Sequence, residues 1–352
     1  MPKVLYASTH NSDMRYVCPI RVSDPFFLFD IDGKRYAFVD KREFGIFQAM
    51  PAGRQEQNIP AVLIDPRVGA KQLALDLFKK YKIEHAEVPS HFPLDIADFL
   101  RSQGIELIVK NPFFPERAVK IKDEISKIKD ALERTHCAFK CIEEILRESV
   151  ILKNSIFYKK ILLTSEYLKQ EAERVLLENN MLCTQGIIIS SGSQAAIPHH
   201  EGHGPIKPHT AIICDIFPMH RSTGYYADMT RTYVKGEPTD EMLKIYEAVK
   251  KSQEAGIAAV KPGVRCSEIH RICSGLLPEL IHGTGHGLGL DIHEPPFVNS
   301  RSEEVLEVGN VITIEPGLYY PDRGSCRLED VVVVTPGGCR NLTNYPKELV
   351  IF

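Results

Sequence analysis

A chain of 352 residues, 43% hydrophobic and 25% charged, has the composition of a globular protein and is long enough to hold two cores. Its formal net charge is −3 and its Lys and Arg residues are scattered, so no basic stripe argues for nucleic acid or a membrane surface as a partner. Residues 1–13 lack the apolar core of a secretory signal, no apolar run reaches the length of a membrane span, and the nine cysteines form no C-x-x-C pair. A cytoplasmic protein with reduced thiols is therefore expected.

Strand-like and helix-like pieces alternate through the first 110 residues. The runs 26–31 and 36–39 flank Asp32-Gly33, a hairpin turn signal. Residues 61–64 read as a short strand, 70–81 and 94–103 as amphipathic helices, and 105–109 as a further strand. The segment Asn111-Pro112-Phe113-Phe114-Pro115 breaks both periodicities, because proline neither donates to a ladder nor continues a helix. The expected organisation is an N-terminal α/β domain over residues 1–113 and a second domain over 114–352.

In the second domain, Ile121, Ile125, Ile128 and Leu132 recur at helical spacing, and the pattern runs on to Leu146, which predicts one long amphipathic helix. A second helix is predicted over 165–178, and a third over 239–260 with Thr239 as its N-cap. Cys137 and Cys141, four apart on the first of these helices, are expected to pack rather than to ligate. Strands are predicted at 186–190, 210–217, 225–234, 311–314 and 328–335, giving an interleaved α/β (α+β) pattern.

Five chemistry-bearing residues lie in or beside these strands or in a glycine-rich turn. Asp215 interrupts the apolar run 211–217, and a buried, unpaired carboxylate costs several kcal/mol or else takes up a proton. A turn-capping role is the competing reading. Asp228 falls in the next predicted strand, and if the two strands pair, their carboxylates approach on one face, where a metal or Arg231 could neutralise them. The stretch His282-Gly283-Thr284-Gly285-His286-Gly287-Leu288-Gly289-Leu290-Asp291-Ile292-His293-Glu294 packs three histidines and four glycines into thirteen residues. Glycine lets backbone approach a ligand, and imidazole is the commonest nitrogen donor to a transition metal. Glu315 ends the strand 311–314 ahead of Pro316-Gly317, and Glu329 precedes four consecutive valines. Four carboxylates and one imidazole are what two hard divalent cations sharing a site would need.

Taken in order, the Asp215/Asp228 pair, the H-G-T-G-H-G-x-G-x-x-x-H-E run, the I-E-P-G turn at Glu315 and the R-x-E-D strand at Glu329 resemble the five-ligand signature of the pita-bread metallopeptidases. The chain is similar to the branch that contains aminopeptidase P and prolidase. The resemblance covers residues 116–352 and, more weakly, an N-terminal domain of the creatinase type. It implies that Asp215 and Asp228 bind one metal, that Asp228 and Glu329 bridge, and that His286 and Glu315 complete the second. It further implies a bridging water or hydroxide as nucleophile and Glu315 as carrier of the proton to the leaving nitrogen. His199, His282 and His293 resemble the family's substrate-side histidines, and Arg327 resembles the arginine that steadies the bridging glutamate.

Two divalent ions are thus expected, manganese by resemblance, with cobalt or zinc also suited to the donor set. The expected substrate is a peptide with proline in second position, cleaved as a dipeptide or from a longer chain, and the expected assembly is a homodimer. Two departures from the family pattern bear on pocket shape: the Asp215–Asp228 interval is longer than usual, and the segment 267–279 is shorter, suggesting a trimmed helix. A methionine aminopeptidase-like enzyme and a metal-free pita-bread binding module are the alternatives. An upstream α/β domain disfavours the first and a complete ligand set the second.

Overall fold

The hairpin around Asp32-Gly33 organises the first third of the chain. In a computed structural model that describes residues 1–49 and 59–351, strands β2 (Phe26–Ile31) and β3 (Lys34–Val39) pair in antiparallel register, joined through Asp32 and Gly33 at φ 52° and 77°. They belong to a six-stranded sheet ordered β4 (Ala61–Leu63), β3, β2, β1 (Lys3–Ala7), β5 (His85–Pro89), β6 (Glu106–Lys110). The strand period of two divides its residues between two cores. Val4, Phe27, Phe29 and Phe38 face helices α3 (Ala70–Lys80) and α4 (Leu94–Ser102), where Phe29 meets Phe38 and Phe78 edge-on at 5.1 and 5.4 Å. Leu5, Leu28, Ala37 and Val39 face α1 (Ser12–Val17), and Phe47 from α2 (Lys41–Gln48) joins that second core.

Sequence periodicity does not reveal β1, which lies between β2 and β5, or β5, whose sequence HAEVP contains a histidine, a glutamate and a proline. Long-range pairing, from Lys3 with Asp30 through to Ala7 with Phe26, overrides weak local preference there.

The chain divides into two compact units, Met1–Arg117 and Ala118–Phe352. The second opens with α5 (Lys122–Glu148), whose buried stripe includes Ile128, Leu132, Phe139, Ile142 and Leu146. Ile121, expected on that stripe, instead precedes the helix and is 64% exposed; its N–H donates to Glu124 Oε2 at 2.9 Å. Helix α6 (Ser165–Glu178) is capped by Thr164, and α7 (Asp240–Ala259) by Thr239, whose hydroxyl accepts from Met242 N–H at 3.1 Å. The segment expected to be a trimmed helix is α8 (Cys266–Leu276), packed on α7 through Ser252 and Cys273.

The two largest sheets of this unit are four- and five-stranded. In the first, Ile188–Ser191, Ala211–Ile216, Met229–Lys235 and Val350–Ile351 lie in that order. In the second the order is Glu294–Val298, Gly285–Gly287, Val311–Ile314, Asp330–Thr335, Gly338–Asn341. Val331 to Val334 are all buried, because their strand is covered on both faces. Cys137 and Cys141 are partly buried free thiols. Among the described residues no helix is long and apolar enough to cross a membrane.

Candidate metal centre

Strand register brings the first two acids together. Asp215 stands opposite Thr230, and Asp228 is two residues ahead of Thr230, so the side chains of all three share one face. The second strand begins at Met229 rather than near Tyr225. Tyr225, Tyr226 and Ala227 hydrogen-bond instead to His220, Gly289 and Pro218, and Met219–His220 pairs with Met181–Leu182. This extra pairing occupies the long interval between Asp215 and Asp228.

Arg231 pairs with neither aspartate. It stands opposite Cys214, on the other face of the sheet, where its guanidinium meets Asp330 at 2.9 Å. Arg327 neutralises Asp215 instead, with its Nη2 2.7 Å from Oδ2. Its contact with Glu329 is indirect: Arg327 Nε donates to Thr230 Oγ1 at 3.4 Å, and that hydroxyl donates to Glu329 Oε2 at 2.8 Å.

The histidine segment, read from sequence as a glycine-rich turn, is a short strand with a register shift between Gly285 and Gly287. His286 is 7% exposed, with Nδ1 3.2 Å from Gly287 O. That contact leaves Nε2 to face Glu315 Oε1 at 3.3 Å and Asp228 Oδ2 at 3.6 Å. Glu315 is anchored just beyond its strand by an N–H donated to Thr284 O at 2.7 Å. Ligand atoms of Asp228, His286 and Glu329 all lie within 4.8 Å of one another, a spacing that suits donors about 2.0–2.2 Å from a common cation.

The electrostatics also fit a cation. Burial, then the neighbouring carboxylates, push Asp228 and Glu329 well above the ordinary carboxylate range. Burial raises Asp215 too, against the pull of Arg327. For Glu315 and His286 burial is the largest influence, but their mutual ion pair outweighs it, lowering the acid and raising the imidazole. Asp215, Asp228 and Glu329 thus resist ionisation, whereas His286 favours the ionised form of Glu315. Moreover, buried Asp215 Oδ1 and Glu329 Oε1 have no hydrogen-bond partner among the described residues. Unpaired carboxylate oxygens in a cluster whose acids resist ionisation are the donors a divalent cation requires.

All nine residues singled out from the sequence line one cleft of about 660 Å³: Asp215, Asp228, His286, Glu315, Glu329, Arg327, His199, His282 and His293. His293 stands edge-on to His286 at 4.1 Å between ring centroids. His282 Nε2 lies 2.9 Å from the Tyr319 hydroxyl, which also accepts from Arg327 Nη1 at 2.9 Å. Burial, the largest influence on each, lowers the pKa of both His282 and His293 and favours neutral imidazoles. Ile187, Phe217, Ile292 and Phe297 supply apolar wall. Sequence reasoning missed Thr230 and Tyr319. Alternation from Asp228 would have placed Thr230 on the same face, whereas nothing local marks Tyr319.

The pattern of metallopeptidase family M24 matches residues 126–336. The chain is 31% identical over 283 residues to an Xaa-Pro dipeptidase of Lactobacillus delbrueckii subsp. lactis, covering 77% of this chain and 69% of that protein. It is 37% identical over 171 residues to an uncharacterised peptidase of Bacillus subtilis, covering 47% and 48% of the two chains, so that match spans about half the length of that relative. In three dimensions it superposes on an Xaa-Pro dipeptidase from Bacillus anthracis with a TM-score of 0.84 at 25% identity, covering 100% of this chain and 95% of the other. This likeness assigns the second unit to the pita-bread fold. The chain belongs to metallopeptidase family M24.

Proposed function

We propose that this chain is an exopeptidase that hydrolyses the bond between an N-terminal residue and a following proline. One observation carries the metal part of the reading: four carboxylates and an imidazole converge in one cleft, with two buried carboxylate oxygens unpartnered among the described residues. Support for proline comes from the relatives named Xaa-Pro dipeptidase. Asp215, Asp228, His286, Glu315 and Glu329 would hold two divalent cations. Bound there, the cations would acidify a water for attack and polarise the scissile carbonyl.

The chain's own residues do the rest. Arg327 fixes one oxygen of Asp215 and Thr230 fixes one of Glu329, leaving the opposite oxygen of each free to ligate. Glu315 would carry a proton to the leaving nitrogen, as the resemblance implies. His199, His282 and His293 line the cleft as hydrogen-bonding groups for the peptide, and its apolar walls suit a pyrrolidine ring. A prolyl nitrogen bears no hydrogen, so such a site need offer it no acceptor.

Manganese is the proposed ion on the resemblance, and cobalt and zinc, which suit the same donor set, are the alternatives to test. Nine free cysteines suit a reducing cytoplasm. A homodimer is proposed on the resemblance to aminopeptidase P and prolidase. The deciding experiment is a panel of Xaa-Pro, Xaa-Pro-Yaa, Xaa-Ala and Met-Ala peptides, each with Mn(II), Co(II) and Zn(II). Metal-dependent release confined to proline peptides is expected, whereas preferential cleavage of Met-Ala would replace this reading with methionine aminopeptidase.

A further inference from the structure

His293 and Glu294 are adjacent but face opposite ways: the imidazole is exposed in the cleft and the carboxylate, 5% exposed, turns into the protein beneath it. Glu294 Oε1 lies 2.6 Å from Lys120 Nζ, in an ion pair whose side chains are 6% and 1% exposed. Glu294 Oε2 accepts from Asp291 N–H at 3.3 Å. In the strand pairing Glu294 stands opposite Gly287, the residue after His286. Its carboxylate also occupies the space beneath Gly289 that any side chain there would need. The Gly289 carbonyl in turn accepts from Tyr226 N–H at 2.9 Å, two residues ahead of Asp228. One buried carboxylate thus lies where the segments carrying His286, His293 and Asp228 meet.

Its counter-charge is anchored independently. Lys120 donates its N–H to Gly309 O at 2.9 Å and lies just before α5. Four residues on, Glu124 Oε1 accepts from the Tyr225 hydroxyl at 2.7 Å. The start of α5 therefore holds both the loop behind His293 and the residues that lead into Asp228.

We propose that Glu294, tied to Lys120, is a positioning residue that fixes the His293 imidazole against His286 and so governs turnover rather than substrate affinity. A buried carboxylate–ammonium pair suits this role, because each charge is costly in the interior without its partner and the pair admits few geometries. The kinetic part of the inference rests on the proposed peptidase reading; the geometric part does not.

The test compares Glu294→Gln and Lys120→Met with the conservative Lys120→Arg. It measures kcat and KM on an Xaa-Pro peptide, and the ring ¹⁵N spectrum of histidine-labelled, zinc-loaded protein with His293 assigned from a His293→Gln variant. Glu294→Gln is expected to lower kcat at least tenfold with KM within twofold and to shift the His293 ring signals, while Lys120→Arg stays near wild type in both. If Glu294→Gln does not fold, Lys120→Met is held to the same criteria. Unchanged His293 signals, an unchanged kcat, or failure of both variants to fold would overturn the proposal. A wild-type protein inactive on every Xaa-Pro peptide would sink the peptidase reading instead, and the ring spectrum would still decide the tie.

Discussion

The two units treat buried charge in contrasting ways. In Met1–Arg117 the sheet is lined on both faces by carbon: Phe27, Phe29 and Phe38 on one side, Leu5, Leu28 and Val39 on the other. Asp13 is the one charged residue among its described buried positions. In Ala118–Phe352, Asp228, Arg231, Arg327, Glu329 and Asp330 are all buried in or beside sheet strands. Burying charge costs stability unless it is paired: Arg231 and Asp330 pair on the face away from the cleft, whereas Asp228 and Glu329 crowd like charges together, as a site does and a scaffold does not. Carbon-lined strands report a scaffold, and charge-lined strands report a site.

That contrast can be broken most severely at Asp228. Replacing it with Asn keeps its shape but removes a ligand and a repelling charge, so hydrolysis is expected to fall by roughly a thousandfold or more. The metal-free variant should melt no lower than wild type, because the neighbouring acids lose a like charge. Calorimetry without metal checks the second half; a large drop in melting temperature would mean that the charge is structural.

Arg231→Met comes next. The Arg231 guanidinium is fully buried and places five donor contacts, on Pro346 O, Thr230 O, Glu329 O, Asp330 Oδ1 and Tyr345 O. Losing it leaves Asp330 with Lys347 and Asn341 as partners but strips donors from four carbonyls, and should cost about 3–5 kcal/mol. Urea titration that finds less than about 1 kcal/mol would show this charge to be dispensable. In the other unit, Phe29→Ala should cost about 3 kcal/mol through a cavity among Phe38, Phe78 and Tyr81. Metal binding by the second unit should survive that change, and its loss would erase the distinction between scaffold and site.

The smallest effect concerns pH. Burial lowers the pKa of His136, whose Nε2 has no hydrogen-bond partner among the described residues. In the folded state the ring therefore resists protonation, while in the unfolded chain it titrates near 6.5. The unfolded state binds more protons as pH falls below that value, so stability should decline from about pH 6.5 downward and be unaffected above neutrality. His136→Phe should flatten that slope; an equal slope in both proteins would assign it to other groups.

Much of this was legible in the sequence where the signal is local. Asp32-Gly33 marked its hairpin, Thr239 its helix start, and the run 165–178 its helix, because each depends on neighbours in the chain. The five candidate ligands stood out because acids and histidines beside apolar strands are anomalous. Long-range register hid the remainder. Arg231 was a candidate partner for the aspartates until pairing with Cys214 put it on the opposite face. The link from Arg327 to Asp215 joins residues 112 positions apart, and Lys120–Glu294 joins the entrance of α5 to the histidine segment. Neither leaves a periodic trace.

Whether the acids around His286 serve cations is tested most directly by counting them. Protein loaded with Mn(II), freed of loose ions by desalting and assayed by elemental analysis should retain two ions per chain, with Asp228→Asn retaining one or none. Wild-type protein that keeps less than one equivalent of manganese, cobalt or zinc would contradict the account.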